Sequence, residues 1–150
     1  MSDVCIRPFA AGDKELVSAF FDQMGGETRA FFNRGDWNRQ VALKYFDGSA
    51  PYTDYFLAEL DTAMVGYVFL FEMDTAVPCL GIAVAEGYKG HHLGRKLIQC
   101  AIDRAKTTGK GGIWLTTHIA NLRGQGLYER MGFQRMGIHN SGEILYLLRF

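Results

Sequence analysis

Residues Tyr88–Ile98 form a glycine-rich basic stretch, YKGHHLGRKLI, that leads into an amphipathic run. The apolar residues before it predict a strand, so the stretch should link a strand to the first turn of a helix. The first amides of a helix have no internal partners, and the helix dipole adds partial positive charge there, so an anion binds well. Five basic side chains add to that charge: Lys89, His91, His92, Arg95 and Lys96. We therefore expect a phosphate-binding loop, with a solvated glycine turn as the alternative.

The glycine spacing differs from that of two common phosphate loops. It is neither G-x-x-x-x-G-K-[ST], the nucleoside triphosphatase loop, nor G-x-G-x-x-G, the dinucleotide fingerprint. His91 and His92 also make a poor metal site, because neighbouring side chains on a loop diverge. No Cys, His or carboxylate stands nearby at a known ligand spacing. We predict that the loop binds an anion and that the protein binds no metal.

A second stretch, NLRGQGLYERMGF, covers Asn121–Phe133 and follows the next predicted strand. Together the two stretches resemble the GNAT superfamily of acetyl-CoA-dependent N-acetyltransferases. In Ala83–Ile98 the family pattern is a strand, then Arg/Gln-x-x-Gly-x-Gly/Ala, then a helix. Asn121 and Tyr128 are spaced as in the family's Asn-x-x-Ala-x-x-x-Tyr-Glu-x-x-Gly-Phe. Near the N-terminus, Ile6–Phe9 resembles the usual first strand.

This chain departs from the family pattern at two positions of the loop. Lys89 stands at the Arg/Gln position, which keeps the charge but loses the forked geometry of arginine. His92 stands where the family has its first glycine, and Gly94 keeps the last small position. If the backbone at residue 92 has a positive φ, as a glycine there permits, a histidine pays a strain energy for it.

The resemblance implies a role for each matched position. Acetyl-CoA would place its pyrophosphate on the loop and on the helix N-terminus, and Asn121 would hydrogen-bond to the coenzyme arm or act only as a helix cap. The backbones of Ile82 and Val84 would pair with pantetheine amides, and an amide near Val84 would polarise the thioester carbonyl. Tyr128 would protonate the departing thiolate. The coenzyme loop consists of Lys89, Gly90, His91, His92, Leu93, Gly94 and Arg95.

The reaction that the resemblance implies is direct attack of a neutral amine on the thioester. Glu72 and His118 are candidates for the base that takes the amine's proton, although each is also consistent with an ordinary solvated residue, and water is a further alternative. The walls of the acceptor pocket would come from Thr28–Phe46 and Gly137–Leu147. The acceptor would be a primary amine of a small molecule or peptide. The rival interpretation is a sensor or assembly domain that binds acetyl-CoA or CoA without turning it over.

The order of apolar patterns predicts the elements that position these residues. We expect an α/β fold with a mixed sheet, in which an antiparallel meander precedes two parallel-paired central strands flanked by helices. The predicted strands are Cys5–Phe9, Tyr55–Asp61, Met64–Met73, Pro78–Ala85, Ile113–Thr117, Phe133–His139 and Glu143–Phe150. Helices are predicted over Lys14–Met24, in one or two pieces over Glu27–Tyr45, and over Leu93–Ala105 and Asn121–Met131.

Composition sets the remaining expectations. The 150 residues suit one domain, 1–150, and the formal net charge of +0 argues against a nucleic-acid or membrane-surface partner. The N-terminus does not resemble a secretory signal, and the isolated Cys5, Cys79 and Cys100 are expected to be small buried side chains without disulfides, so a cytoplasmic location is expected. A homodimer is possible on this sequence.

Overall fold

The computed structural model describes residues 4–24, 35–88 and 92–150. Its centre is a seven-stranded sheet with the strand order β1-β2-β3-β4-β5-β7-β6. Neighbouring strands are antiparallel except β4 and β5, which are parallel, so the predicted mixed sheet is confirmed. The strands are β1 (Cys5–Pro8), β2 (Asp54–Leu60), β3 (Ala63–Phe71), β4 (Cys79–Val84), β5 (Gly112–Thr117), β6 (Gln134–Ile138) and β7 (Ile144–Arg149).

Four α-helices lie in the described ranges: α1 (Lys14–Asp22), α2 (Gly35–Asp47), α3 (Leu93–Thr107) and α4 (Leu122–Arg130). The predicted crossover is confirmed, because α3 connects the parallel strands β4 and β5. The helix α3 ends at Thr107, and Gly109 follows with a φ of +78°, a conformation that suits glycine. The part of the predicted Glu27–Tyr45 helices that falls on residues 27–34 lies outside the described residues.

The sheet separates two apolar clusters, because successive side chains of a strand point to opposite faces. Val68 packs in the cluster that contains the buried side of α3, whereas the next residue, Phe69, packs in the cluster that contains α1 and α2. Ile82 and Ala83 divide in the same way on β4. The helices α1 and α2 therefore cover one face of the sheet, and α3 covers the other together with Tyr128 of α4.

The cysteine prediction was partly wrong. All three cysteines are free, but Cys5 is exposed, and Cys79 and Cys100 are only half-buried. Cys5 is the first residue of β1, an outer strand beside which the described residues place no further strand. An isolated apolar-type residue at a strand end therefore does not identify a core position. No helix in the described ranges is both long enough and apolar enough to cross a bilayer.

Candidate active site

The parallel strands β4 and β5 part soon after they begin. Both strands lie wholly within the described residues, and their pairing consists of a single residue pair, Cys79 with Trp114. Beyond that pair the strands separate, and a cavity of about 860 Å³ lies between them. The N-terminus of α3 and one side of α4 complete the cavity wall. The volume falls within the range of sites that hold a ligand of drug size or larger.

The hydrogen-bond pattern of β3 and β4 shows which way the β4 backbone faces. The Ala85 amide donates to the Val65 carbonyl at 2.9 Å, and pairs along an antiparallel ladder alternate between bonded and non-bonded. By this alternation Ala83 bonds to β3, whereas Ile82 and Val84 direct their backbone groups away from β3. That direction is toward β5 and the cavity, which is where the sequence prediction requires these two backbones.

The N-terminus of α3 explains two positions of the loop motif. His92 is the N-cap residue and has φ 59° and ψ 14°, the left-handed conformation that a histidine adopts only with strain. Gly94 is close to α4, because a Cβ on it would lie 2.9 Å from a methyl carbon of Leu127. One position of the motif thus has a left-handed backbone, and the other leaves room only for a small residue unless Leu127 shifts. Lys89, Gly90 and His91 lie outside the described residues.

Asn121 begins α4 as its N-cap. Its Oδ1 accepts a hydrogen bond from the Gly124 amide at 3.1 Å, and its Nδ2 donates to Thr117 Oγ1 at 3.1 Å. The predicted helix cap is therefore confirmed, and the side chain also lines the cavity. The Asn121 amide lies over Gly124 so closely that a Cβ on that glycine would be 2.4 Å from Nδ2. Glycine at the family's alanine position is what lets the amide fold over the helix start.

Tyr128 lies at the wall of the cavity on α4 and is 7% exposed. Its ring packs 6.0 Å from the ring of Phe133 and 5.8 Å from that of Tyr146. Burial raises the pKa of the Tyr128 phenol well above its ordinary value, and the nearby charge of Glu143 raises it further. The hydroxyl therefore keeps its proton at neutral pH and is able to donate it.

The two predicted bases have different positions. His118 follows β5 and lines the cavity, where its Nδ1 accepts a hydrogen bond from the Ala120 amide at 3.0 Å. Glu72 is exposed and is not among the residues that line the cavity. It follows Phe71, which pairs with Cys79 at the end of the gap where β4 and β5 still touch.

The sequence matches the acetyltransferase (GNAT) family over residues 17–133, which is more than half of its length. This chain belongs to the GNAT family. The match includes the parted strands, the N-terminus of α3 and all of α4, so most of the cavity lies within the matched region, whereas Glu143 lies beyond it.

Two curated relatives of this GNAT chain are named as acetyltransferases of different substrates. A Bacillus subtilis (strain 168) protein named as a ribosomal protein bS18-alanine N-acetyltransferase is 29% identical over 91 residues, which are 61% of this chain and 60% of that protein. Streptothricin acetyltransferase of Streptomyces lavendulae is 37% identical over 60 residues, 40% of this chain and 32% of that protein. The chain thus spans less than two thirds of the length of either relative.

The GNAT fold of this chain is also found in solved structures. The PaiA N-acetyltransferase of Thermoplasma acidophilum, solved in complex with coenzyme A, superimposes with a TM-score of 0.82 over 99% of both chains. The two sequences are 16% identical, so this likeness supports the fold alone.

Charged side chains of the GNAT cavity include three that the sequence analysis missed. Arg123 and Arg130 line the cavity from α4, together with the predicted Arg95 of α3. Arg123 and Arg130 are seven residues apart, which puts both on one side of α4. That spacing was visible in the sequence. Glu143 lines the cavity too, and its Oε1 accepts a hydrogen bond from Thr116 Oγ1 at 2.8 Å. No group of three or more His, Cys, Asp or Glu side chains within the described ranges is placed to hold a metal ion.

Proposed function

We propose that this GNAT domain transfers the acetyl group of acetyl-CoA to a primary amine by direct attack. The observation that carries the proposal is the gap between two parallel strands with a buried, protonated tyrosine at its wall. A domain that only held CoA would need the gap and the arginines that line it, but it would not need a proton donor beside the gap.

The residues of the cavity fit acetyl-CoA as a bound substrate. Ile82 and Val84 turn their backbone groups toward the gap, as pairing with the amides of a pantetheine arm requires. The side chains of Arg95, Arg123 and Arg130 supply positive charge for phosphates, and the N-terminus of α3 supplies unpaired amides. The bound thioester would supply a carbonyl carbon that an amine can attack.

In this proposal the residues that line the gap have separate tasks. Backbone near Val84 polarises the carbonyl through a hydrogen bond, and Tyr128 gives its proton to the sulfur as the carbon–sulfur bond breaks. Asn121 holds the start of α4 and stands beside the coenzyme arm. His118 lines the same cavity, and its Nδ1 accepts a hydrogen bond from the Ala120 amide.

The acceptor in this proposal is a primary amine of a peptide or a small molecule. The names of the two curated relatives specify the alanine of a ribosomal protein in one case and the antibiotic streptothricin in the other. One of these substrates is a protein and the other is a small molecule, so the assay tests amines of both kinds.

The experiment is release of CoA thiol from acetyl-CoA by the purified protein with a panel of amines. The panel contains an alanine-starting peptide, streptothricin, a polyamine, free amino acids and an aminoglycoside. We expect one class of amine to accelerate thiol release saturably, and mass spectrometry should find the acetylated amine. Tight acetyl-CoA binding in calorimetry with no release on any amine would contradict the proposal and favour the CoA-binding domain.

A further inference from the structure

Glu143 is the only acidic side chain among the described residues that line the cavity. The other fully charged side chains there are Arg95, Arg123 and Arg130. We propose that Glu143 forms the acceptor end of the cavity, where its carboxylate binds the incoming primary amine and takes its proton. This inference rests on the proposed function and adds to it the residue that the sequence analysis did not find.

The position of Glu143 follows from the alternation of side chains on β5. Thr116 and Thr117 are successive residues of a strand, so their side chains point to opposite faces of the sheet. Thr117 receives the hydrogen bond from Asn121 at the start of α4, and Thr116 gives its hydrogen bond to Glu143. Glu143 therefore enters the gap from the face opposite to α4 and Tyr128.

The placement of Tyr128 and Glu143 on opposite faces of the sheet suits acetyl transfer. The sulfur leaves on one side of the carbonyl carbon while the nitrogen arrives on another, so two separate groups can serve as the proton donor and the proton acceptor. Both groups nonetheless line the same cavity. Glu143 is half-buried, so its charge is less screened than that of a surface carboxylate.

The hydrogen bond from Thr116 fixes the carboxylate without occupying it fully. It engages Oε1 and leaves Oε2 for the acceptor. The titratable groups that share this part of the cavity with Glu143 are Tyr128 of α4 and His118 at the end of β5. As described above, Tyr128 keeps its proton, and the Nδ1 of His118 already accepts a hydrogen bond from the Ala120 amide. Glu143 is thus the group best placed to accept a proton.

The proposed step balances as follows. The amine nitrogen forms a bond to the acetyl carbon, the carbon–sulfur bond breaks, and one proton passes from nitrogen to Oε2 of Glu143. The departing sulfur takes the phenol proton of Tyr128. One proton then returns from the Glu143 carboxyl group through water to the Tyr128 phenolate, so both residues regain their starting states. A neutral amine and acetyl-CoA give an amide and CoA with no net proton change.

Glu143→Gln tests the inference, because glutamine keeps the shape and the acceptor for Thr116 but lacks the negative charge. With the amine that reacts fastest in the panel, we expect kcat/KM to fall by about 10²-fold or more. The dissociation constant of acetyl-CoA should stay within about twofold, and the thermal midpoint should stay close to the wild-type value. Glu15→Gln is the matched control, since it removes an exposed carboxylate from α1 and should change none of these quantities.

Thr116 provides a second test, as a positioning residue. Thr116→Val should raise KM for the amine and lower kcat, and Thr116→Ser should restore both because it keeps the hydroxyl. Wild-type kinetics in Glu143→Gln, with an active wild-type protein, would overturn the inference and leave the proposed function intact. A fall in acetyl-CoA affinity equal to the fall in rate would also overturn it. An inactive wild-type protein would refute the proposed function first.

Discussion

Tyr128→Phe removes a single oxygen atom and leaves a ring of nearly the same shape. The phenyl ring keeps its packing against Phe133 and Tyr146, whose ring centres lie about 6 Å away. The hydroxyl faces the cavity wall. We therefore expect the free energy of unfolding to change by less than about 1 kcal/mol, the range of one modest hydrogen-bonding group.

The effect on turnover should be much larger. A positioned general acid contributes about 10²–10⁴-fold to a rate, which is about 2.7–5.4 kcal/mol of the activation barrier at 1.36 kcal/mol per factor of ten. The phenylalanine variant should therefore lose kcat in that range while its acetyl-CoA dissociation constant stays within about twofold. Because burial raises the Tyr128 pKa, the wild-type rate should not decline through loss of this proton between neutral pH and about pH 10.

The assay pairs steady-state thiol release with calorimetric binding of acetyl-CoA and a thermal melt. Tyr146→Phe is the matched control, because this tyrosine is equally buried but its hydroxyl bonds to Glu129 at 2.6 Å, outside the cavity. It should lower the thermal midpoint and leave kcat nearly unchanged, the reverse of the Tyr128 pattern. Equal losses of rate and coenzyme affinity in Tyr128→Phe would refute the general-acid assignment.

Three further predictions concern residues with unusual surroundings. His92→Gly should raise the free energy of unfolding in urea by about 0.5–1 kcal/mol. The substitution relieves about 1–2 kcal/mol of left-handed backbone strain, which exceeds the cost of about 0.4–1 kcal/mol from the added entropy of the unfolded chain. A loss of stability would show that the histidine side chain makes a contact that contributes more than the strain costs. Tyr67 has a buried hydroxyl with no hydrogen-bond partner within the described part of the chain, so Tyr67→Phe should raise the thermal midpoint by roughly 2–4 °C, and a lower midpoint would mean that the hydroxyl is paired in solution. A thiol reagent should label the exposed Cys5 well before Cys79, whose pKa burial raises to about 12, and equal labelling rates would contradict the described burial.

Features that depend only on residues close together in the sequence were predictable. The helix α3 was predictable because Leu93, Leu97 and Ala101 recur at helical spacing and glycines follow its end. The Asn121 cap and the position of Tyr128 were also predictable, since both belong to one short helix. The strained backbone of His92 follows from a glycine position that is occupied by another residue.

Features that depend on distant contacts were not predictable in this way. Glu143 meets Thr116 across 27 positions of the chain, and that contact depends on β7 lying between β5 and β6, which no local pattern specifies. Glu72 likewise owes its position to the strand pairing. Glu72 follows β3, which is antiparallel to β4, so it lies beside the start of β4. The cavity opens toward the other end of β4.

The parting of β4 and β5 also matters for the solubility of this protein. A sheet normally has two outer edges, and each is a template on which another chain can add a strand and start aggregation. This sheet has two further edges, because β4 and β5 pair only at Cys79 and Trp114 and then face the cavity. A ligand that fills the gap would cover both inner edges. Acetyl-CoA bound in the gap should therefore also protect the protein from aggregation during storage.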